Sequence, residues 1–400
     1  MSDAAAAPRG SPLEVLRVFL RLGLTSFGGP VAHLGYFRAE LVERRRWLDE
    51  SAFVELVGLC QFLPGPASSQ VGFALGLLRA GWLGGLAAFC GFTLPSALLM
   101  LAAARGVSMW NERAGAGVLH GLKLVAVAVV AQAVWSLARA LCPDRARAAI
   151  AAVSAALVLG RASALLPIAL GASAGLLFCR EVEPREARPL QFGVGRRAAL
   201  ACGALFAALL VVPALLELAR HAPPALALFN AFYRSGALVF GGGHVVLPLL
   251  RSAVVERGWA GDPIFLAGYG AAQAMPGPLF TFAAYLGSVA SPLPGLAGGL
   301  LALLAIFLPG LLLVAGALPF WSRLRTRPQA QSAMRGINAA VVGLLGAALY
   351  DPLWTSTIHG RLDFAAALSL FVALTAGRAP PLVVVLLGAG CGAALQSFGG

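Results

Sequence analysis

Four helix-breaking motifs, in two pairs, are where this chain has chemistry to offer. Phe27-Gly28-Gly29-Pro30 and Phe240-Gly241-Gly242-Gly243 set adjacent glycines inside apolar stretches, and Pro64-Gly65-Pro66 and Pro276-Gly277-Pro278 interrupt two more. A glycine in a helix costs about 1 kcal/mol relative to alanine, yet it lets the backbone unwind. An unwound helix leaves free N–H donors and a partial positive dipole at the start of its second half, which in a low dielectric is an anion site. In the Pro-Gly-Pro motifs the first proline stops the incoming helix, glycine permits the turn, and the second proline suits the first position of the outgoing helix. After Pro66 come Ala67, Ser68, Ser69 and Gln70, rich in hydroxyl and amide donors, whereas Leu279, Phe280 and Thr281 follow Pro278. The first copy is expected to supply more hydrogen bonds to a bound anion.

Other candidates surround these breaks. Arg21 and Arg234 lie about two turns before the glycine pairs. An arginine at the bilayer centre costs at least about 2.5–3.5 kcal/mol, so a repeated one facing inward would serve an anion, while one at a helix end would snorkel to the interface. Both readings stay open. Gln61 and Gln273 stand three residues before each Pro-Gly-Pro, placed either to donate to substrate or to cap freed carbonyls. His33 and His244 follow the glycine breaks without aligning, since Val31 is the partner of His244. Lys123 and its counterpart Asn338 sit within apolar spans, where a polar group joins helices or answers a ligand charge. The carboxylates Glu14, Glu40, Glu55, Glu217 and Asp351 fall near segment ends, so the usual acidic proton relay is not evident. An anion moved outward would instead draw on the inside-negative potential, about 2.3 kcal/mol per charge per 100 mV. Walker A, HExxH and Gly-x-Ser-x-Gly patterns are absent. The six cysteines are scattered without metal-ligand or disulfide spacing, and neither a cofactor nor a metal is expected.

The elements that must hold these residues are set by composition. Of 400 residues, 59% are hydrophobic and 12% charged, with a mean hydropathy of +0.82. No soluble core buries that much apolar surface, so lipid is the solvent for most of the chain. The net charge of +13 comes from arginines set singly or in small groups at the ends of apolar runs, which is a topology signal and not a nucleic-acid footprint. Residues 1–12 are polar and lack the pattern of a removable signal peptide. Nine apolar stretches look able to cross a membrane, near 82–104, 114–140, 147–160, 162–179, 197–219, 294–320, 332–351, 363–377 and 380–398. Four more (13–27, 31–43, 226–240, 244–255) pair about the glycine breaks, and 52–78 and 264–290 are each cut by a Pro-Gly-Pro.

The chain also repeats itself. Arg21, Gly23, Phe27, Gly28 and Gly29 recur 213 positions later, and Trp47, Phe53, Gly58, Gln61 and Pro64-Gly65-Pro66 recur 212 later; Pro95 matches Pro309 and Gly121 matches Gly336. The organisation read from this is a polar tail over 1–12, a first repeat over 13–179, a charged linker plus an extra helix over 180–225, and a second repeat over 226–400. One added span between copies changes the parity of crossings, so the second copy is expected to sit upside down. Loop arginines agree, being dense at Arg44–Arg46 early in the first copy and at Arg323–Arg335 late in the second. Both dense loops reach the same side if each Pro-Gly-Pro segment enters and returns as a re-entrant hairpin, a form tolerated where protein covers the open backbone. Full crossing keeps the inversion but places Arg44–Arg46 outside. The expected fold is an all-α polytopic membrane protein with two inverted-topology repeats and broken or re-entrant helices.

With these residues in view, the sequence resembles the chromate ion transporter family in its long two-domain form. The resemblance rests on FLRLGLTSFGGPVAHLG with the downstream QFLPGP, and on FYRSGALVFGGGHVVLP with the downstream QAMPGP. It implies a multi-pass protein of the bacterial inner membrane that exports chromate and protects the cell from it. The second copy departs from symmetry, lacking Ser-Ser-Gln after its Pro-Gly-Pro, which puts equal roles for the two loops in doubt. Sulfate shares chromate's charge and shape, and transport of sulfate or another oxyanion is the alternative; a membrane-embedded enzyme on lipid-linked phosphate is a further one. The expected partners are chromate or sulfate and membrane lipid, not nucleic acid, and a homodimer is left open. The substrate is expected among the broken segments, held by the glycines, prolines, Ser68, Ser69, both glutamines, both histidines and the two arginines named above.

Overall fold

The computed structural model describes residues 10–27, 29–109, 112–160, 165–179, 194–219, 223–240, 246–290, 292–321, 327–377 and 379–399. Helix α1 (Pro12–Thr25) opens where Ser11 accepts the Glu14 N–H at 3.1 Å, with Pro12 at its first position. It stops at Ser26, whose backbone is extended, and α2 (Gly29–Phe37) restarts the chain and runs into a wide π turn over Arg38–Arg44. Asp49 caps α3 (Glu50–Phe62) by accepting the Ala52 N–H at 2.7 Å, and α3 ends at the extended Leu63. Helix α4 (Ala67–Met109) is two arms, because Ala80 and Gly81 leave helical geometry and bend it. Then come α5 (Glu112–Leu141), α6 (Arg145–Leu159), α7 (Leu165–Phe178) and the extra helix α8 (Arg196–Leu218).

The second copy repeats this series. Helix α9 (Pro224–Ala237) ends before the second glycine break and α10 (Val246–Val254) follows it. Helix α11 (Asp262–Ala274) ends before Pro276, and a 3₁₀ turn (Leu279–Thr281) leads into α12 (Phe282–Val289). Helices α13 (Leu296–Ala317), α14 (Pro328–Ala348), α15 (Arg361–Thr375) and α16 (Pro381–Gly399) complete it. All sixteen elements are helical, and no strand occurs among the described residues. The breaks expected from glycine and proline are real interruptions. Among the described residues five helices are long and apolar enough to cross a bilayer alone: 67–106, 120–141, 196–218, 296–320 and 328–351. The segments α6, α7 and α15 have only 14 or 15 residues, about 22 Å of rise against a hydrocarbon layer of about 30 Å.

Those short helices find their cover on the other copy. The α6–α7 hairpin lies along α14, and the α15–α16 hairpin lies along α5, so each repeat ends by wrapping its partner. Small residues make the close approach. Gly171 and Gly175 of α7 meet Ser332 and Gly336 of α14, while Gly388 and Gly392 of α16 meet Gly117 and Gly121 of α5. This is helix packing by small residues four apart, used twice. A His120–Asp363 pair at 2.7 Å ties α5 to α15. Equivalent contacts with the copies' roles exchanged define an approximate two-fold relation between the repeats. Helix α8 has no counterpart and covers α9 and α13, where the Tyr233 hydroxyl donates to the Phe206 carbonyl at 3.1 Å; Leu200, Val211 and Leu215 on its far side are exposed.

The early arginine-rich turn is internally paired at the surface. Arg38 bonds Glu43 and Glu50, and Arg44 and Arg45 both bond Glu40. Pairing does not erase its topological weight, because the positive-inside bias counts Lys and Arg and not net charge.

Candidate functional site

The two Pro-Gly-Pro loops meet the two glycine breaks in a crossed pattern. The Gly65 N–H of the first copy donates to the Val239 carbonyl in the second copy's break at 2.7 Å, and the Gly277 N–H donates to the Ser26 carbonyl in the first copy's break at 2.8 Å. Val239 and Ser26 occupy equivalent positions, so one bond is the symmetry mate of the other. Glycine is required at both turns, since Gly65 has φ +124° and Gly277 φ +91°, where a side chain is strained. The reciprocity extends one layer further. Gly65 stacks against Gly310 of α13, and Gly277 stacks against Ser96 of α4, the residue equivalent to Gly310.

Polar side chains gather on one side of this crossing. Ser26, His33, Ser68, Ser69, Gln70, Thr93 and Ser96 are all buried, and all belong to the first copy. His33 Nδ1 stands 3.3 Å from Ser68 Oγ, and its ring packs edge-on against Phe92 at 5.2 Å. Ser96 donates to the Thr93 carbonyl at 3.1 Å. The Gln70 amide donates to the Pro64 carbonyl at 2.9 Å and across the copies to the Gly310 carbonyl at 3.1 Å. Several polar atoms here have no partner among the described residues: Ser26 Oγ, His33 Nε2, Ser69 Oγ, Gln70 Oε1 and Thr93 Oγ1. An unpaired buried polar group costs about 1–3 kcal/mol, so five together concentrate that cost at one place, where the three hydroxyls can donate and Gln70 Oε1 only accepts.

The same positions in the second copy are apolar or internally satisfied. Val239, Val246, Phe280, Phe282 and Phe307 replace Ser26, His33, Ser68, Gln70 and Thr93. Thr281, the partner of Ser69, spends its hydroxyl on the Pro278 carbonyl at 2.8 Å. The second copy therefore packs, and the first presents donors. Helix α4 adds to them, because the Gln70 N–H is the first in its helix to reach back, to the Pro66 carbonyl at 2.9 Å. The amides of Ala67, Ser68 and Ser69 belong to the orphan set of a helix N-terminus, beside the Ser68 and Ser69 hydroxyls.

Most residues named from the sequence have a definite place. Pro64, Gly65, Pro66, Ser68, Ser69 and His33 come together, and Pro276, Gly277 and Pro278 close against them from the other copy. Gly29, with φ +79°, begins α2. Arg21 lies on the exposed face of α1, where its carbonyl accepts the Thr25 hydroxyl at 2.9 Å, and Arg234 is half-buried in the last turn of α9. Gln61 is exposed at the end of α3, whereas Gln273 is half-buried with an unpartnered Nε2. Neither arginine belongs to the buried cluster. Gly28, Gly241, Gly242 and His244 lie outside the described residues. One expectation needs revision: the Gly65 and Gly277 amides are bonded across the repeats, so these glycines clamp the copies together and the donors left free follow them. Ser26, Thr93 and Ser96 were missed as site residues, and Gln70 was read only as a donor following Pro66. Their signal was available as polar residues whose partners 212 to 214 positions later are Val239, Phe282, Phe307 and Gly310.

Comparison with known proteins shows the family. The pattern of the family described as chromate transporter matches residues 13–176 and 226–393, once per copy. The chromate transport protein of Pseudomonas aeruginosa is 32% identical over 357 residues, covering 88% of this chain and 83% of its own. The probable chromate transport protein of Synechococcus elongatus is 29% identical, covering 86% and 84%, and the chromate transport protein of Cupriavidus metallidurans is 28% identical, covering 86% and 83%. No solved structure matches. A duplicated, broken-helix membrane protein matched along both copies by one pattern belongs to the chromate transporter family.

Proposed function

We propose that this chain is a secondary transporter that exports chromate across the bacterial inner membrane and so confers chromate resistance, with its substrate site in the first copy's cluster beside the N-terminus of α4. The observation that carries the reading is a buried set of neutral donors, several of them unpartnered, at the crossing of two interrupted hairpins. Neutral hydroxyls and amides suit a carrier, since they replace the hydration of a dianion without the deep trap that a buried cation would make. With the arginine-dense loops on the cytoplasmic side the copies are inverted and the Pro-Gly-Pro segments re-entrant. Arg21 and Arg234, outside the cluster, then draw the anion toward the breaks. Outward movement of a dianion is favoured by the membrane potential at about 2.3 kcal/mol per charge per 100 mV.

Radiolabelled chromate supplied to everted vesicles tests this directly. Vesicles carrying the protein will accumulate chromate faster than vesicles without it, and equal uptake overturns the proposal. Sulfate is the second reading, because hydroxyls and amides at this spacing fit either tetrahedral dianion, and labelled sulfate in the same vesicles ranks the two. The asymmetry of the copies makes its own prediction. Ser69→Ala removes an unpartnered hydroxyl and will weaken chromate binding about tenfold or more, as expected for a hydrogen bond to a charged group. Thr281→Val removes a hydroxyl already bonded to Pro278 and will change affinity less than about twofold. Competition against labelled chromate in purified protein checks both, and equal losses would place the site across both loops.

A further inference from the structure

Among the described residues the cluster contains one imidazole, His33, and it is placed to touch whatever the cluster holds. His33 is 1% exposed, its Nδ1 is engaged with Ser68 Oγ at 3.3 Å, and its Nε2 is buried without a partner among the described residues. Against the ring lie the Ser68 hydroxyl, the Ser26 backbone and the edge of Phe92. The charged and titratable groups on the elements packed against α2 are all directed elsewhere. Arg38, Glu40, Glu43 and Arg44 of the π turn pair with one another and with Arg45 and Glu50. On α4, Arg79 bonds Glu14, Cys90 is exposed, and Arg105 lies near the far end of the helix. Among the described residues His33 is in no ion pair, so a bound anion would be the charge that answers an imidazolium there.

We infer that His33 Nε2 reads the protonation state of the substrate, so that one proton enters the site with each chromate. Ser68 can donate to Nδ1 or accept from it, and the imidazole tautomer follows. With the neutral ring's Nε2 as an acceptor, the imidazole takes the O–H of hydrogen chromate. With a proton added, Nε2–H donates to the chromate dianion. The two forms differ only in which side of one hydrogen bond holds the proton, and each leaves the complex with one net negative charge. Hydrogen chromate loses its proton near neutral pH, whereas hydrogen sulfate does so only in strong acid. Chromate can therefore keep the proton on its own oxygen beside a neutral buried ring, while a sulfate that enters with a proton leaves it on the imidazole as a charged ring inside the protein, at a cost in desolvation. The same residue thus couples transport to a proton and favours chromate over sulfate. This inference rests on the cluster being the substrate site.

Purified protein in weakly buffered detergent solution at pH 8, titrated with potassium chromate while a dye reports pH, provides the test. Chromate is a dianion there, so wild-type protein will take up about one proton per anion bound, and chromate affinity will fall about tenfold per pH unit above neutrality. His33→Gln, and His33→Asn if the first folds poorly, will bind chromate without proton uptake, lose the pH slope, and bring chromate and sulfate affinities closer together. Wild-type protein that binds chromate with no proton uptake, or variants that keep both the uptake and the chromate preference, overturn the inference while leaving the site standing. Wild-type protein that binds neither anion overturns the site itself.

Discussion

Gly65→Ala will reduce chromate flux in everted vesicles about a hundredfold at equal protein level in the membrane. Three effects act together at this residue. Its φ of +124° is strained for any side chain, costing about 1–2 kcal/mol. The new methyl would stand 2.9 Å from Gly310 Cα, which is backbone and cannot rotate away. Relieving that clash pulls the Gly65 N–H from the Val239 carbonyl and forfeits about 1 kcal/mol more. The sum is about 3 kcal/mol, and each 1.4 kcal/mol is a factor of ten in the ratio of molecules that hold the crossing to those that have lost it. Gly277→Ala is the symmetry mate and will behave alike, since its methyl would meet Ser96 Oγ at 2.9 Å and its N–H holds the Ser26 carbonyl. Gly58→Ala is the control: a methyl there meets nothing within 4 Å, and flux will be unchanged. Full flux in Gly65→Ala would mean that the crossing plays no part in transport.

The second large effect concerns the exchanged arms. Gly336→Ala will lower the thermal stability of the detergent-solubilised protein well beyond what Gly346→Ala does on the same helix. At Gly336 a methyl would run into the Gly171 carbonyl and stand 2.7 Å from Gly175 Cα and N, whereas at Gly346 it meets nothing within 4 Å. Overpacking of this kind costs about 1–3 kcal/mol, and here it acts between two backbones, with no side chain to yield. Gly121→Ala will show the same loss, because its methyl would meet the Gly388 carbonyl and come within 3.0 Å of Ala389 Cα. The comparison is read as the temperature at which a monodisperse peak is lost after heating. Equal temperatures for Gly336→Ala and Gly346→Ala would show that α7 is not seated on α14 in the membrane protein.

Much of the site was legible because its makers are local. Glycine pairs and Pro-Gly-Pro end helices wherever they occur, and Ser68 and Ser69 follow a proline that starts a helix, so position in the chain alone placed them at a helix N-terminus. His33 drew notice only as a histidine after a break. Its importance lies in burial and in an unpaired Nε2, which depend on Phe92 and Ser68, residues that lie 59 and 35 positions away. Thr93 and Ser96 gave no local sign within an apolar helix. Arg21 and Arg234 illustrate the reverse, since the repeat made them conspicuous, and packing leaves one exposed and the other half-buried, outside the cluster.

Composition alone determined that lipid is the solvent, residue type determined where helices break, and a near-constant offset determined that the chain is duplicated. These are properties of single residues or of short windows, and no folding is needed to express them. Tertiary structure decided which breaks meet, which glycine amides are consumed in holding the copies together, and which donors remain free. It also decided that each copy's terminal hairpin lies on the other copy's long helix. Those outcomes depend on contacts such as Gly65 with Val239 and Gly175 with Gly336, more than 150 residues apart. Such pairings are selected by the shape and hydrogen-bonding balance of the whole molecule, because a buried amide must find a partner and small surfaces must find one another, wherever along the chain the partner lies.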